Sequence, residues 1–596
     1  MTHRYSEGVR EGAAGWRWAS ALRDSWRAGY GGADFRADLL AGAVVALVAV
    51  PLAMALAIAS GVPPQYGLYT AVVAGTVVPL LGGSRFQVTG PTAAFVVVLA
   101  PVAARFGLGG LLTAGFLAGL LLLVMGLGRL GGLIQYIPRT VTAGFTAGIG
   151  LVIAVLQLKD FFGLQTGPLP DRFVDRLAVL AHAAPTLRPA ELAVGFGTLV
   201  LLILWPKLSK RIPGPLVALV LAAGVVALAE RFVPGLEIAT IGRRFHFQID
   251  GRAWDGVPGI LPALRAPWSF PGPGGAPLAF NVALLEALAP SALAIALLAA
   301  IESLLSAVVA DGMAGTRHNP DAELTALGVG NLVGPFFGGI PATGAIARTA
   351  TNIRSGARSP LAAAFHGLFI LGVLLAAAPL LGRVPMASLA ALLLVVAYHM
   401  SELRHVRYLL NVAPRSDAAV LLICFGLTVV FDMVAGVSVG IVLASLLFMR
   451  RMAATTRGRT LGSETGAGAS PPPGFVYYEI AGPMFFGAVD NAIDAIASVD
   501  RSVRGVLFLM DKIPVMDVSG LVALESAIRK LSAAGQLSVL VGAHGQPQAL
   551  IRKSQFLSTE RRMIRHCPDR TAAAQEAAAF LRAAGSATPL FPEARR

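Results

Sequence analysis

From about Leu39 to Met449 the chain is a succession of apolar runs, each roughly 17–25 residues long, the length a helix needs to cross a bilayer. That single feature excludes most soluble folds. Of the 596 residues, 55% are hydrophobic and only 14% are charged, more apolar surface than a water-soluble core of this size can bury. A polytopic α-helical membrane protein is the expected class. The first 35 residues (MTHRYSEGVREGAAGWRWAS…) are charged and carry tryptophan, without the apolar core of a cleavable signal. Cys424 lies in an apolar span and Cys567 in the polar C-terminal region, so no disulfide is expected.

The net charge of +15 is spread over span ends and tails, which fits membrane lipid and not nucleic acid. Basic residues collect in WPKLSKRIPGP (205–215), NIRSGARSP (352–360), SELRHVRYLLNVAPRS (401–416) and MRRMAATTRGR (449–459). Placing these on the cytoplasmic side agrees with an even number of spans, near fourteen, and with both termini inside. The loop from about Phe232 to Ala279 holds Arg243, Arg244, Arg252 and Arg265 and falls outside; its length exempts it from the charge rule. No metal-ligand cluster, G-x-S-x-G or phosphate-binding glycine loop is present, so no enzyme, metal or cofactor is expected.

The chain contains a faint internal repeat. VVPLLGGSRFQVTGPTAA (77–94) overlays LVGPFFGGIPATGAIART (332–349) when Pro79, Gly82 and Gly83 are set on Pro335, Gly338 and Gly339, which places Thr92 opposite Arg348. Upstream, VALVAVPLAMALAIASG (45–61) parallels ALLAAIESLLSAVVADG (296–312), with Pro51 opposite Glu302. An odd number of spans per half would invert the second half relative to the first, as in many secondary transporters.

Within each repeat an apolar context gives way to small and hydroxylic residues. Irregular backbone at membrane depth is tolerated only where it is buried in protein or lines a cavity. Gly90-Pro91 opens one helix, and a second begins near Ala345 to Ala347. Two half-helices with facing N-termini would offer unpaired amides and partial positive charge to an anion, each terminus worth roughly 0.3–2 kcal/mol. Arg348 fits there if an anion or a carboxylate neutralises it; interfacial snorkelling or a structural ion pair is the plainer reading. Glu302 either binds a coupling proton or Na⁺ or partners Arg348. Ser303 and Ser306 read as helix-packing residues, and Asp432 as a helix-turn residue.

After Met452 the composition changes. Residues 453–474 (AATTRGRTLGSETGAGASPPPG) read as a linker. FVYYEIAG (475–482), GVLFLMD (505–511) and LSVLVGAH (537–544) read as buried strands, alternating with helical runs near 487–498, 519–534 and 570–583. The expected division is a cytoplasmic segment (1–36), a membrane domain (37–452), the linker (453–474), a small cytoplasmic α/β domain (475–585) and a tail (586–596).

Taken in order, VALVAVPLAMALAIASGVPPQYGLYTAVV, GGSRFQVTGPTAA, IPRTVTAGFTAGIGLVIAVLQLKDFFGL and PATGAIARTATNIRSGA resemble the SulP family of anion transporters, and the tail resembles its STAS domain. The resemblance implies fourteen segments as a seven-plus-seven inverted repeat with two half-helices, gate and core domains, elevator-like movement, and a homodimer in the cytoplasmic membrane. It places the anion site at Thr89, Gly90, Pro91 and Thr92 on one tip and Ile346, Ala347, Arg348 and Thr349 on the other, closed by Leu52 and Leu56. Leu52 stands where many members have glutamine, and Ala347 where animal and plant members often have serine, which leaves more of the binding to backbone amides. The implied passengers are sulfate, bicarbonate or a C4-dicarboxylate, with H⁺ or Na⁺ as coupling ion. An uncoupled anion channel on the same scaffold is the alternative, and a related nucleobase–cation symporter is disfavoured by the arginine and the tail. In DKIPVMDVSGLVALESAI (511–528), Ser519 occupies the position phosphorylated in related anti-sigma-factor antagonists; simple helix capping by Asp517 or Ser519 is the competing reading.

Overall fold

The computed structural model describes residues 18–585, apart from 171, 210–211, 250–251, 462–470, 490–492, 494–502 and 555–562. The chain divides into two units, 1–441 and 442–596. Among the described residues nine helices are long and apolar enough to cross a membrane.

The N-terminal unit is helical. Helices α1 (Gly32–Ala59) and α2 (Pro64–Leu81) lead to a two-residue strand, β1 (Thr89–Gly90), and then to the long α3 (Ala93–Leu127). Helix α3 is broken at Gly107, whose φ of 69° lies in the left-handed region. A Cβ there would stand 2.4 Å from the carbonyl carbon of Gly272, so only glycine fits this break. The apolar segments α4 (Arg139–Phe161), α5 (Pro189–Leu208) and α6 (Gly214–Phe232) follow. Helix α7 (Val282–Ala314) is capped by Asn281, whose side chain accepts from the Leu284 amide, and ends on Gly315.

The second set opens with α8 (Pro320–Val333) and the strand β2 (Thr343–Gly344), followed by the nine-residue α9 (Ile346–Arg354). Helices α10 (Leu361–Leu381), α11 (Met386–Met400), α12 (Arg415–Val430) and α13 (Met433–Ala453) complete it. Asp432 accepts from the Ala435 amide at 2.8 Å, as a helix-turn residue does. Helices α3 and α8 approach so closely that a Cβ on Gly119 or Gly328 would lie 2.6 Å from the facing backbone nitrogen, the small-residue contact by which membrane helices pack.

The C-terminal unit is an α/β sheet of five strands in the order β3 (Arg457–Leu461), β4 (Phe475–Ala481), β5 (Gly505–Lys512), β6 (Leu537–Val541) and β7 (Ile564–Cys567). Only the β3–β4 pair is antiparallel. Alternation along β5 buries Val506, Phe508 and Met510 on one face, with Leu524 and Ile528 of α14 (Val518–Ala533). Leu507 and Leu509 face the other way, with Ala573 and Ala577 on the helix α16 (Arg570–Gly585). Both faces are covered, which is why these strands read as continuous apolar runs.

Three elements here depart from the sequence reading. Within the stretch expected to be a linker, Arg457–Leu461 is an edge strand paired to β4 in register Gly458↔Ile480. Its RGRTL sequence hides it, since edge strands carry charge that discourages further pairing. Short β7 and the helix α15 (Gly545–Lys553) are likewise additional. The run expected near 487–498 lies mostly outside the described residues.

Glu479 on β4, with a side chain only 4% exposed, pairs with Arg459 of β3 and Lys512 of β5, each at 2.7 Å. The hydrogen bond from Lys512, and then that from Arg459, hold its carboxyl below the usual range. The stabilisation is therefore present above the unfolded pKa and is lost as pH falls through the folded value. Because both cations are half-exposed, the pairs are worth about 1 kcal/mol. Glu479→Gln should accelerate hydrogen exchange at residues 457–461 about fivefold at neutral pH, read by mass spectrometry. Unchanged protection would mean that backbone pairing alone holds the edge strand.

Candidate functional site

Residues 86–92 and 343–352 are zipped together. Thr89 pairs with Gly344 and Gly90 with Thr343 in antiparallel register. The Ala345 amide donates to the Val88 carbonyl at 2.9 Å, and the Val88 amide to Thr349 Oγ1 at 3.0 Å. Asn352 Nδ2 closes the far end on the Phe86 carbonyl at 2.9 Å. The two polar stretches thus meet, and they do so Thr-Gly against Thr-Gly. This shifts the repeat overlay: the second half has two fewer residues between its Gly-Gly pair and its Thr-Gly pair, so Arg348 faces the register of Ala94 and not Thr92.

Helix α7 lies behind this junction and presents one polar face. Thr343 Oγ1 donates to the Ala299 carbonyl at 2.8 Å. Gln87 Nε2 donates to Ser303 Oγ at 2.6 Å. Ser306 Oγ lies 3.2 Å from Thr349 Oγ1. Positions 299, 303 and 306 fall on one helix face by their spacing, and the two serines hydrogen-bond Gln87 and Thr349 of the junction. Thr92 Oγ1 donates to Glu302 Oε2 at 2.6 Å. Among the described residues no ion pair joins Glu302 to Arg348.

Both helix N-termini at the junction lack side-chain caps: Thr92 precedes α3 and Ala345 precedes α9, each with extended backbone. The Thr92 hydroxyl donates to Glu302 and accepts no amide of its own helix. First-turn amides carry partial positive charge when left uncapped. Ile346 and Ala347 are exposed, whereas Thr92, Ala93 and Ala345 are nearly buried. The tips therefore border open space on the α9 side.

Arg348 carries the electrostatics. Its side chain is 1% exposed. Nη2 donates to the Pro91 carbonyl at 3.0 Å, while Nε and Nη1 are buried without a protein partner. The guanidinium lies against Gly90 so closely that a Cβ there would stand 2.3 Å from Nη1. The Thr89 hydroxyl is also buried and unpartnered. Leu56 is a core residue at 1% exposed, and Leu52 is half-buried on the helix that packs against α9. Ser519 lies elsewhere, exposed in the first turn of α14. The cap of that helix is Asp517, which accepts from the Gly520 amide at 2.8 Å.

Three buried groups that hold this junction escaped the sequence reading. Glu323 accepts from the Gly83 and Ser84 amides at 3.0 Å each and from Gln87 Nε2 at 2.8 Å. Asp38, fully buried, accepts from the Arg358 amide at 2.5 Å, from the Ser359 hydroxyl at 2.5 Å and from Tyr30 at 2.8 Å. It ties the start of α1 to the turn after α9. Asn331 bridges both polar groups of Ala342 at 2.8 and 2.9 Å. Glu323, two residues after Asp321, reads in the sequence as one of two acids in the first turn of α8; Asp38 and Asn331 gave no signal.

Broken segments meeting among apolar helices, with uncapped helix tips and a buried cation beside them, are the architecture of a membrane transporter. Residues 35–424 match the model of the sulfate permease family, and residues 470–567 match the STAS domain. The chain is 38% identical over 527 residues to the Bacillus subtilis (strain 168) protein named "Putative sulfate transporter YvdB", covering 88% of this chain and 95% of that one. It is 30% identical over 552 residues to the bicarbonate transporter BicA of a Picosynechococcus species, covering 87% and 91%. Among solved structures, the transmembrane domain of a cyanobacterial BicA superposes with a TM-score of 0.58 at 30% identity over 68% of this chain and 98% of that one. Murine Slc26a9, described as an anion transporter in the inward-facing state, superposes with a TM-score of 0.79 over 96% and 97%, a likeness of fold at 20% identity. The chain belongs to the sulfate permease family and carries a C-terminal STAS domain. It is a membrane anion transporter and not an enzyme.

Gly90→Ala places a methyl carbon where Arg348 Nη1 now lies, so the guanidinium must move. Anion uptake into cells should fall at least tenfold while the amount of protein in the membrane stays near wild type. Undiminished uptake would show that the present seat of Arg348 is dispensable.

Proposed function

We propose that the protein is a secondary active transporter carrying a small oxyanion of the sulfate type across the cytoplasmic membrane, by elevator-like alternating access. One observation carries this reading. A buried guanidinium with two unpartnered nitrogens sits between two uncapped helix N-termini, and an anion is the passenger that satisfies all three. Amides of Ile346, Ala347 and Arg348 and the tip Thr89–Thr92 form the site, with α1 and its Leu52 and Leu56 alongside.

The seven-plus-seven arrangement has support from the helix order. Once α3 is split at Gly107, and the short or peripheral helices 20–27, 173–183, 241–244 and 403–412 are set aside, seven segments precede the 233–281 connection and seven follow it. The antiparallel Thr-Gly pairing joins corresponding points of the two halves, as an inverted repeat requires. In this reading the termini and the STAS domain are cytoplasmic, and the protein acts as a homodimer. Sulfate is favoured by the 38% identical relative's name; bicarbonate is the second reading, favoured by BicA.

Glu302 is proposed as the coupling group for H⁺ or Na⁺. It sits on the Thr92 hydroxyl at the tip itself, so its charge state and the anion share one location. Intramembrane carboxylates of this kind mark ion pathways.

Proteoliposomes offered sulfate, bicarbonate, fumarate, succinate or nitrate should accumulate one of them against its gradient under an imposed ΔpH or Na⁺ gradient. Arg348→Ala should abolish that uptake. Glu302→Gln should uncouple it, with equilibrative flux surviving and accumulation lost. Transport that ignores both gradients in the wild type would make the protein an uncoupled channel, and unchanged uptake by Arg348→Ala would remove the arginine from the site.

A further inference from the structure

Away from the junction, two cavities adjoin on the outer surface of the N-terminal unit. The first, about 370 Å³, is walled by apolar side chains of α1, α6 and α10, among them Leu47, Met54, Leu219, Val220 and Leu380. The second, about 470 Å³, is polar and holds Glu230, Thr240, Arg243, His246 and Asp255. Ala223, Ala227 and Arg383 line both, so the two form one continuous slot, apolar at one end and charged at the other.

The charges in the polar part are mostly spoken for. Arg243 pairs with Glu230 at 2.5 Å, and His246 pairs with Asp255 at 2.7 Å. Arg383, at the seam, is exposed and makes no ion pair among the described residues. It follows directly on the C-terminal end of α10, and α6 ends beside the same cavity at Phe232. The ends of membrane-crossing helices lie at headgroup depth. The apolar part opens between Val220 and Leu380, each 62% exposed in the isolated chain; on spanning helices such residues face hydrocarbon.

We propose that this slot is a phospholipid site: an acyl chain lies between α1, α6 and α10, and the lipid phosphate binds Arg383. The fit is one of polarity and charge. An apolar channel open to the bilayer takes a hydrocarbon chain, and Arg383, the cation of its polar end that has no ion pair among the described residues, takes a phosphate. A free anion would have no use for the apolar half, and a neutral apolar molecule would leave Arg383 without a counter-ion.

The test is native mass spectrometry of the full-length protein in detergent, titrated with dioleoylphosphatidylglycerol or with dioleoylglycerol, which lacks the phosphate. Wild type should retain one phosphatidylglycerol at collision energies that strip the remaining lipid, and should not retain dioleoylglycerol. Arg383→Gln should lower the retained fraction about tenfold, and Ala223→Phe, which fills the slot, should do the same. Arg404→Gln, a surface change elsewhere, should match wild type. Equal retention by wild type and Arg383→Gln would overturn the proposal and leave annular lipid only; equal retention of dioleoylglycerol would overturn the role of the phosphate. Arg383→Gln alters an exposed side chain, so the outcome stands even if Ala223→Phe fails to fold.

Discussion

A guanidinium shut inside a bundle of apolar helices is the constraint around which this structure is arranged. Placing an arginine at the centre of a membrane helix costs about 2.5–3.5 kcal/mol on translocon scales, and among the described residues Arg348 recovers one side-chain hydrogen bond, to the Pro91 carbonyl. The residue is held in place by what surrounds it: Gly90, with no side chain to intrude, and the Thr-Gly pairing that fixes β1 against β2. Every other element of the junction serves to keep two bare helix tips beside that charge. Glu302 accepts from Thr92, and among the described residues no carboxylate pairs with Arg348.

The scaffold that permits this is itself polar and buried. Glu323 gathers the amides of the loop before β1, and Asp38 gathers those of the turn after α9. Each carboxylate satisfies backbone groups that have no strand or helix partner, at a depth where water is scarce. Losing either would leave several buried donors unpaired, so these acids fix the geometry of the tips without touching a passenger. The division is clear: Asp38 and Glu323 bind the protein to itself, whereas Arg348 retains donors to spare.

Much of this was legible in the sequence. Apolar run length announced the membrane, and the P-x-x-G-G cores with the small, hydroxylic stretches after them announced the two breaks. Arg348 stood out because a cation among apolar residues demands a reason. The strands β4, β5 and β6 were plain because both of their faces are buried, whereas RGRTL concealed an edge strand whose charges meet Glu479 across the sheet. Asp38 was not legible, since the backbone groups it holds lie 320 residues and more away in Arg358 and Ser359. The repeat register slipped by two because an overlay anchored on Pro79 and Pro335 cannot count the shorter connection to the second Thr-Gly; only the hydrogen-bonded pairing reveals it.

The central claim is that the unpaired N–H groups of Arg348 and the uncapped amides of α9 and α3 together hold the anion. An experimental structure with selenate, whose selenium scatters anomalously where sulfate does not stand out, tests this directly. The account predicts a single strong anomalous peak within hydrogen-bonding distance of Arg348 and the α9 tip, with oxygens about 2.7–2.9 Å from the guanidinium. A peak seated elsewhere, with Arg348 turned onto Glu302, would contradict it.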